Sequence, residues 1–222
     1  MRYSVQILSL CSIVLMLIAG CSQSGGQQSS SQSTPPPSFG DPQSAAQRGL
    51  ETFRRLVTSA NAKELGFEST DEVAAASLGA PNQVFSVSLE QLKSYQPGGD
   101  ANRMLADANR TIFPVMVRDQ ARASITVEQS NGKWTATGFG DPKLARQISA
   151  ATKNTSAQGA PMIVHVLPFN LYFVGSRSDN RLMLTPLGDY SSFNVKTGAT
   201  LSADEVFSAL APFAKNYNGL PM

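Results

Sequence analysis

Hydrophobic and polar positions divide the chain into three unlike stretches. Ile7 to Ile18 (ILSLCSIVLMLI) is apolar apart from two serines and a cysteine. Ser22 to Pro42 (SQSGGQQSSSQSTPPPSFGDP) carries a single large apolar side chain, Phe39. Beyond it, apolar residues recur at helical or strand spacings almost to the C-terminus. The first run would make a helix of about 18 Å, too short for a hydrocarbon core of about 30 Å. With Arg2 ahead of it, it reads as the apolar core of an export signal. The second stretch cannot bury enough surface to offset the entropy of ordering it. It reads as a flexible tether, stiffened at Pro35-Pro36-Pro37, with a reach on the order of 25 Å.

The third stretch, residues 43–222, predicts one α+β domain. Ser69-Thr70-Asp71-Glu72 and Ser202-Ala203-Asp204-Glu205 have the capping-box pattern that starts a helix. The first predicts a short helix from Thr70 to Leu78. The second opens a stripe of Val206, Leu210, Phe213 and Tyr217, closed by Asn218-Gly219 and Pro221. Asp41-Pro42 and Asp141-Pro142 pair an N-cap with a first-turn proline. Ser88-Leu89-Glu90-Gln91 opens a further short helix, and Asp100 caps a turn or two through Met104-Leu105.

Strands are expected between these. Thr111 to Val117 is apolar on both faces, with Pro114 pointing to an edge or a bulge. Arg122 to Gln129 alternates, and Asn131-Gly132 turns it back through Lys133 to Thr137 as a tight hairpin. Met162 to Val174 and Arg181 to Leu187 form a second hairpin. Hairpins imply an antiparallel sheet, with the helices packed on one face. This order resembles cystatin-like and PepSY-like modules, an architectural likeness without a diagnostic motif.

The junction of the first two stretches is more specific. Ile18-Ala19-Gly20-Cys21, after a basic start and an apolar core, resembles the lipobox of bacterial lipoproteins. That resemblance implies removal of residues 1–20 by cleavage between Gly20 and Cys21. It also implies thioether-linked diacylglycerol on Cys21, whose acyl chains, palmitate among them, anchor the protein to a membrane on the extracytoplasmic side. Residues 21–42 would then be lipidated cysteine plus tether. Ser22 in place of Asp resembles the enteric signal that permits transfer to the outer membrane, in an organism that has one.

Charge narrows the partners. The chain has 18 basic and 16 acidic residues, and Arg54-Arg55 is its one basic pair. No stripe of the kind nucleic acid requires is present, and no nucleic-acid partner is expected. Of two cysteines, Cys11 lies in the signal and Cys21 is the lipid site, so the domain has neither disulfide nor free thiol. With one histidine, no metal site and no cofactor are expected. The chain has no G-x-S-x-G elbow, and Gly138-Phe139-Gly140-Asp141-Pro142 lacks a P-loop ending. No catalytic residue is therefore assigned, and a non-enzymatic role is expected.

Two features stay open. His165 reads as a core or sheet-face histidine, or alternatively as the base of an extracytoplasmic hydrolase. Leu167-Pro168-Phe169-Asn170-Leu171-Tyr172-Phe173 reads as sheet core, or as an aromatic edge on which Phe169, Tyr172 and Phe173 are candidate partner-binding residues. The expected role is a binding or assembly module for an envelope protein. The alternatives are that hydrolase and a carrier of a small molecule or lipid.

Overall fold

The computed structural model describes residues 40–153, 160–178 and 181–218; Gly20, Cys21 and the tether as far as Phe39 lie outside them, whereas Asp41 and Pro42, expected at the end of the tether, belong to the start of the first helix. Helix α1, Pro42–Leu56, starts where Asp41 Oδ1 accepts from the Ser44 amide at 2.8 Å. It buries Ala45, Ala46, Gly49, Leu50 and Phe53 along one stripe. Helix α2, Thr70–Ala74, is shorter than its pattern predicts, because Ser77–Leu78 is drawn into the sheet as strand β1. Ser69 caps α2 as expected, but the Glu72 carboxylate bonds the Glu68 amide at 2.8 Å instead of closing the box. The Arg54 guanidinium of α1 donates to the Ala76 carbonyl at 2.6 Å and ties the two helices together.

Strand β2, Asn82–Val87, leads into helix α3, Leu89–Ser94, whose capping box is complete at Ser88 and Gln91. A 3-10 turn at Ala101–Met104 precedes β3, Ala106–Val117, and β4, Gln120–Ser130. The Asn131-Gly132 hairpin forms as expected, with φ of 51° and 76°, and returns as β5, Lys133–Gly140. Asp141 then caps α4, Pro142–Lys153, through the Leu144 amide at 2.9 Å.

The second half comprises β6, Met162–Val166; β7, Leu171–Ser178; β8, Arg181–Pro186; β9, Leu201–Ser202; and α5, Ala203–Lys215, opened by the Ser202–Glu205 capping box. The expected continuous strand from Met162 to Val174 is in fact two strands. A 3-10 turn at Leu167–Phe169, with Asn170 left-handed at φ 51°, reverses the chain between them. Proline at the start of that turn and asparagine at its end are what make the reversal possible.

The nine strands form a single sheet in the order β5-β4-β3-β2-β6-β7-β8-β9, with β1 extending the β2 side of β3. All pairs are antiparallel except β2–β6. The α+β class is thus as expected. Strand β2, however, is a central element that the hydrophobic pattern does not announce. Strand β3 is also internal despite Pro114. In an antiparallel strand, one residue's N and C=O face the same neighbour. The Pro114 carbonyl accepts from the Gly79 amide at 2.8 Å, so its missing N–H falls opposite Gly79-Ala80-Pro81, the break between β1 and β2.

Register separates the two faces. Phe113, Val115, Ile125 and Val127 point to one face and pack under α1 and α2. Val87, Val164, Val166, Phe173 and Leu184 continue that face under α3 and α5. Val84, Ile112, Ile163 and Val174 point the other way, against Ile148 and Ala151 of α4. The expectation of helices on one face fails at α4 alone. Strands β5 and β6 stand four positions apart, about 19 Å at normal strand spacing. A 12-residue helix of about 18 Å crossing the second face makes that connection.

Gly49 sets the spacing of α1 above the sheet, since a Cβ there would lie 2.9 Å from Ala136 Cβ and 3.1 Å from Ile125 Cγ2. Alanine in place of an internal helical glycine normally gains about 1 kcal/mol. Overpacking a fitted core costs about 1–3 kcal/mol, which is the larger effect. Gly49→Ala is therefore expected to lower stability by up to about 2 kcal/mol in a thermal or urea melt, and Gly49→Val by more. A melt in which Gly49→Ala gains stability would contradict this packing.

Candidate functional site

The aromatic segment sits at the β6–β7 reversal, and strand alternation divides it. Phe173 is paired with Val164 and is fully buried under α5. Tyr172 points to the opposite face, beside its partner His165. Phe169 belongs to the turn and is half-buried. The three candidate residues therefore share no surface, and β6 and β7 are internal strands rather than an edge.

His165 has the surroundings of a structural residue. Its Nε2 lies 3.0 Å from Asn170 Oδ1, and its ring stacks on Tyr172 with centroids 4.0 Å apart. Burial pushes its pKa down, the Asn170 bond opposes this, and the nearby Arg110 charge adds to the depression. Arg110 is itself paired with Glu128 at 2.7 Å. Burial likewise pushes the Tyr172 phenol up. No carboxylate among the described residues is bonded to the imidazole to orient it as a base. Asn170 makes both the left-handed turn and this bond, a double use that the sequence signals only through its place after Pro168-Phe169.

Phe169 instead joins residues distant in sequence. The segment between β8 and β9 folds back on itself through paired Tyr190 and Val195 and a 3-10 turn at Ser191–Phe193. This brings Phe193 to 5.1 Å from Phe169, while Tyr217, beyond α5, stands edge-on to Phe169 at 5.7 Å. Phe213 meets Phe193 edge-on at 4.9 Å. The Tyr190 hydroxyl donates to the Tyr172 carbonyl and accepts from its amide, both at 2.9 Å, which fixes the segment to β7.

The result is an open groove of about 560 Å³, lined by Pro168, Phe169, Asn170, Leu171, Tyr190, Phe193 and Tyr217, with Asp189, Ser191 and Ser192 at its polar side. Asp189 is the one charged residue of this lining, and a bond from the Thr197 amide at 2.8 Å holds its carboxyl below the usual range. Leu167 and Phe213 lie on the flanking turn and helix and are 50% and 38% exposed. Outside the segment 167–173, only Phe213 and Tyr217 were singled out in the sequence, as part of a helical stripe; Tyr190 and Phe193 were not, since nothing local links them to Phe169.

The chain matches no family model, no curated protein and no solved structure. The likeness to cystatin-like and PepSY-like modules therefore rests on element order alone. No group of histidine, cysteine and carboxylate side chains that could hold a metal occurs among the described residues. None of the described helices is long and apolar enough to cross a membrane.

The state of His165 has a measurable consequence. Its folded pKa lies below the unfolded value of 6.5, so the unfolded chain takes up the proton first as pH falls. Stability is full above the unfolded pKa and declines below it, until the folded form also protonates. Urea melts should show this loss between pH 7 and about 5, before most carboxylates titrate. His165→Gln should flatten that slope, and a slope unchanged in the variant would contradict the assignment.

Proposed function

We propose that this protein is a lipid-anchored lipoprotein of the bacterial envelope whose domain is a non-catalytic binding module. The observation that carries the binding role is the open aromatic groove built by Phe169, Phe193 and Tyr217. Aromatic rings supply large apolar contact at a low cost in side-chain entropy, which is why they dominate binding surfaces. Asp189 gives the groove a negative side, so it suits a protein segment presenting an apolar side chain next to a basic one. The anchoring role is supported by Ile18-Ala19-Gly20-Cys21 and the polar tract that follows. Acyl chains, at about 0.8 kcal/mol per buried methylene, would hold the domain at a membrane while the tether lets it search for its partner.

Two experiments test the two halves separately. Cys21→Ser is expected to abolish incorporation of labelled palmitate and to release the protein from the membrane fraction. A variant that stays labelled and membrane-bound would overturn the anchor. Chemical crosslinking in intact cells, followed by solubilisation, should capture a protein partner with the wild-type chain. Phe169→Asp should reduce that capture by about tenfold or more, as expected for a buried aromatic anchor. Identical partners at identical yield in both samples would remove the groove from the function.

A further inference from the structure

We propose that the outer edge of β5 takes up an extended acidic peptide segment as an added strand. This surface is at the far end of the strand order from β8 and β9, and it does not depend on the Phe169 groove. Strand β5 has β4 on one side and no strand on the other among the described residues. The two-residue turn at Asn131-Gly132 makes Ser130 and Lys133 a hydrogen-bonded pair. Pairs alternate from there, so the backbone groups of Trp134 and Ala136 turn away from β4. They present donors and acceptors to the side on which a further strand would pair.

The same two residues line a groove of about 350 Å³ between β5 and the flank of α1, where Arg48, Gly49 and Thr52 form the opposite wall. Backbone bonding along β5 and side-chain room beside it thus coincide, which is what strand addition uses for affinity and for selection. Gly49 brings α1 so close to β5 that no Cβ would fit between them, which forms the floor of the groove, and Phe139, stacked on Phe53 at 6.1 Å, closes one end. Both charged residues of the lining, Arg48 and Lys133, are basic. Lys133 alternates with Trp134 and Ala136 and so lies on the face away from α1, which sets the occupant: an extended segment with small apolar residues turned toward α1 and, alternating with them, acidic residues on the side of Lys133.

Trp134 is the only tryptophan of the chain, so its emission reports on this groove without a label. The full-length protein in detergent would be titrated with the acetylated, amidated peptide Glu-Val-Glu-Val-Glu-Val and with its Lys-Val counterpart. The acidic peptide is expected to shift Trp134 emission saturably below about 1 mM and the basic one to leave it unchanged. Binding should slow amide exchange at Trp134 and Ala136 by about tenfold while leaving Thr135, already bonded to β4, unaffected. Lys133→Glu, at an exposed side chain, should weaken the acidic peptide at least about fivefold. Ala136→Pro should abolish binding, since proline removes an outward N–H without costing a bond to β4. If that variant does not melt cooperatively, Lys133→Glu and amide exchange decide. An unchanged emission, equal binding of both peptides, or binding without protection at Trp134 and Ala136 would each overturn the proposal. So would a dimer that already protects this edge in sedimentation and exchange measurements.

Discussion

The parallel pairing of β2 with β6 holds the two halves of this domain in one sheet. Strands β3, β4 and β5 follow one another as hairpins, and β6 to β9 form a second antiparallel run. Without the seam each half would expose a long hydrophobic edge. Five residue pairs make it, from Gln83–Met162 to Val87–Val166. Its side chains serve the helix layers on both faces: Val84 and Ile163 lie beneath α4, while Val87, Val164 and Val166 lie beneath α3 and α5. Helix α4 both connects the halves and covers the seam's second face. That is why a parallel pair, which is stable mainly when buried on both sides, can form here.

A second tie works on the first face. Asp204, in the first turn of α5, accepts from the Tyr95 hydroxyl at 2.6 Å and from the Gly98 amide at 2.7 Å. Burial together with the Asp204 carboxylate keeps Tyr95 protonated, and the Tyr95 bond in turn holds Asp204 ionised. Tyr95 also packs edge-on to Phe207 at 5.6 Å. The loop after α3 and the start of α5 are therefore fixed to each other by one carboxylate. This placement of α5 sets where Phe213 meets Phe193 and where Tyr217 meets Phe169 of the turn between β6 and β7, so the aromatic groove follows from contacts at the other end of the helix.

What the sequence makes legible is local. Capping residues at Asp41, Ser88, Asp141 and Ser202 mark real helix starts, and Asn131-Gly132 marks a real hairpin, because each signal is a bond or a dihedral within four residues. Strand β2 escaped for two reasons. It is only six residues long, and both of its faces are covered, Val84 beneath α4 and Val87 beneath α3 and α5, so it lacks the polar–apolar alternation of a half-buried strand. Its partner β6 lies some 80 residues away. Pro114 misled in the opposite sense, because the break in its neighbour that tolerates it is a tertiary fact. The groove was legible only along the segment from Pro168 to Leu171; Tyr190 and Phe193 reach it through the β8–β9 segment, which no periodicity describes.

The open edge of β5 raises a physical problem, since an eight-residue strand with no second neighbour among the described residues invites indiscriminate pairing. Three features limit it. Thr137 is an extra residue in the pairing with β4, a bulge that interrupts the outward row of backbone groups after Ala136. Lys133 places a charge at one end, and the left-handed Gly140, with φ of 101°, turns the chain away at the other. What remains is a short stretch about Trp134 and Ala136, too brief to nucleate a sheet between molecules. A single short segment would still gain both ladder bonds and the groove beside α1. The protections found here act against long partners and leave room for a short one, which is the difference between an edge that is merely exposed and one adapted to use.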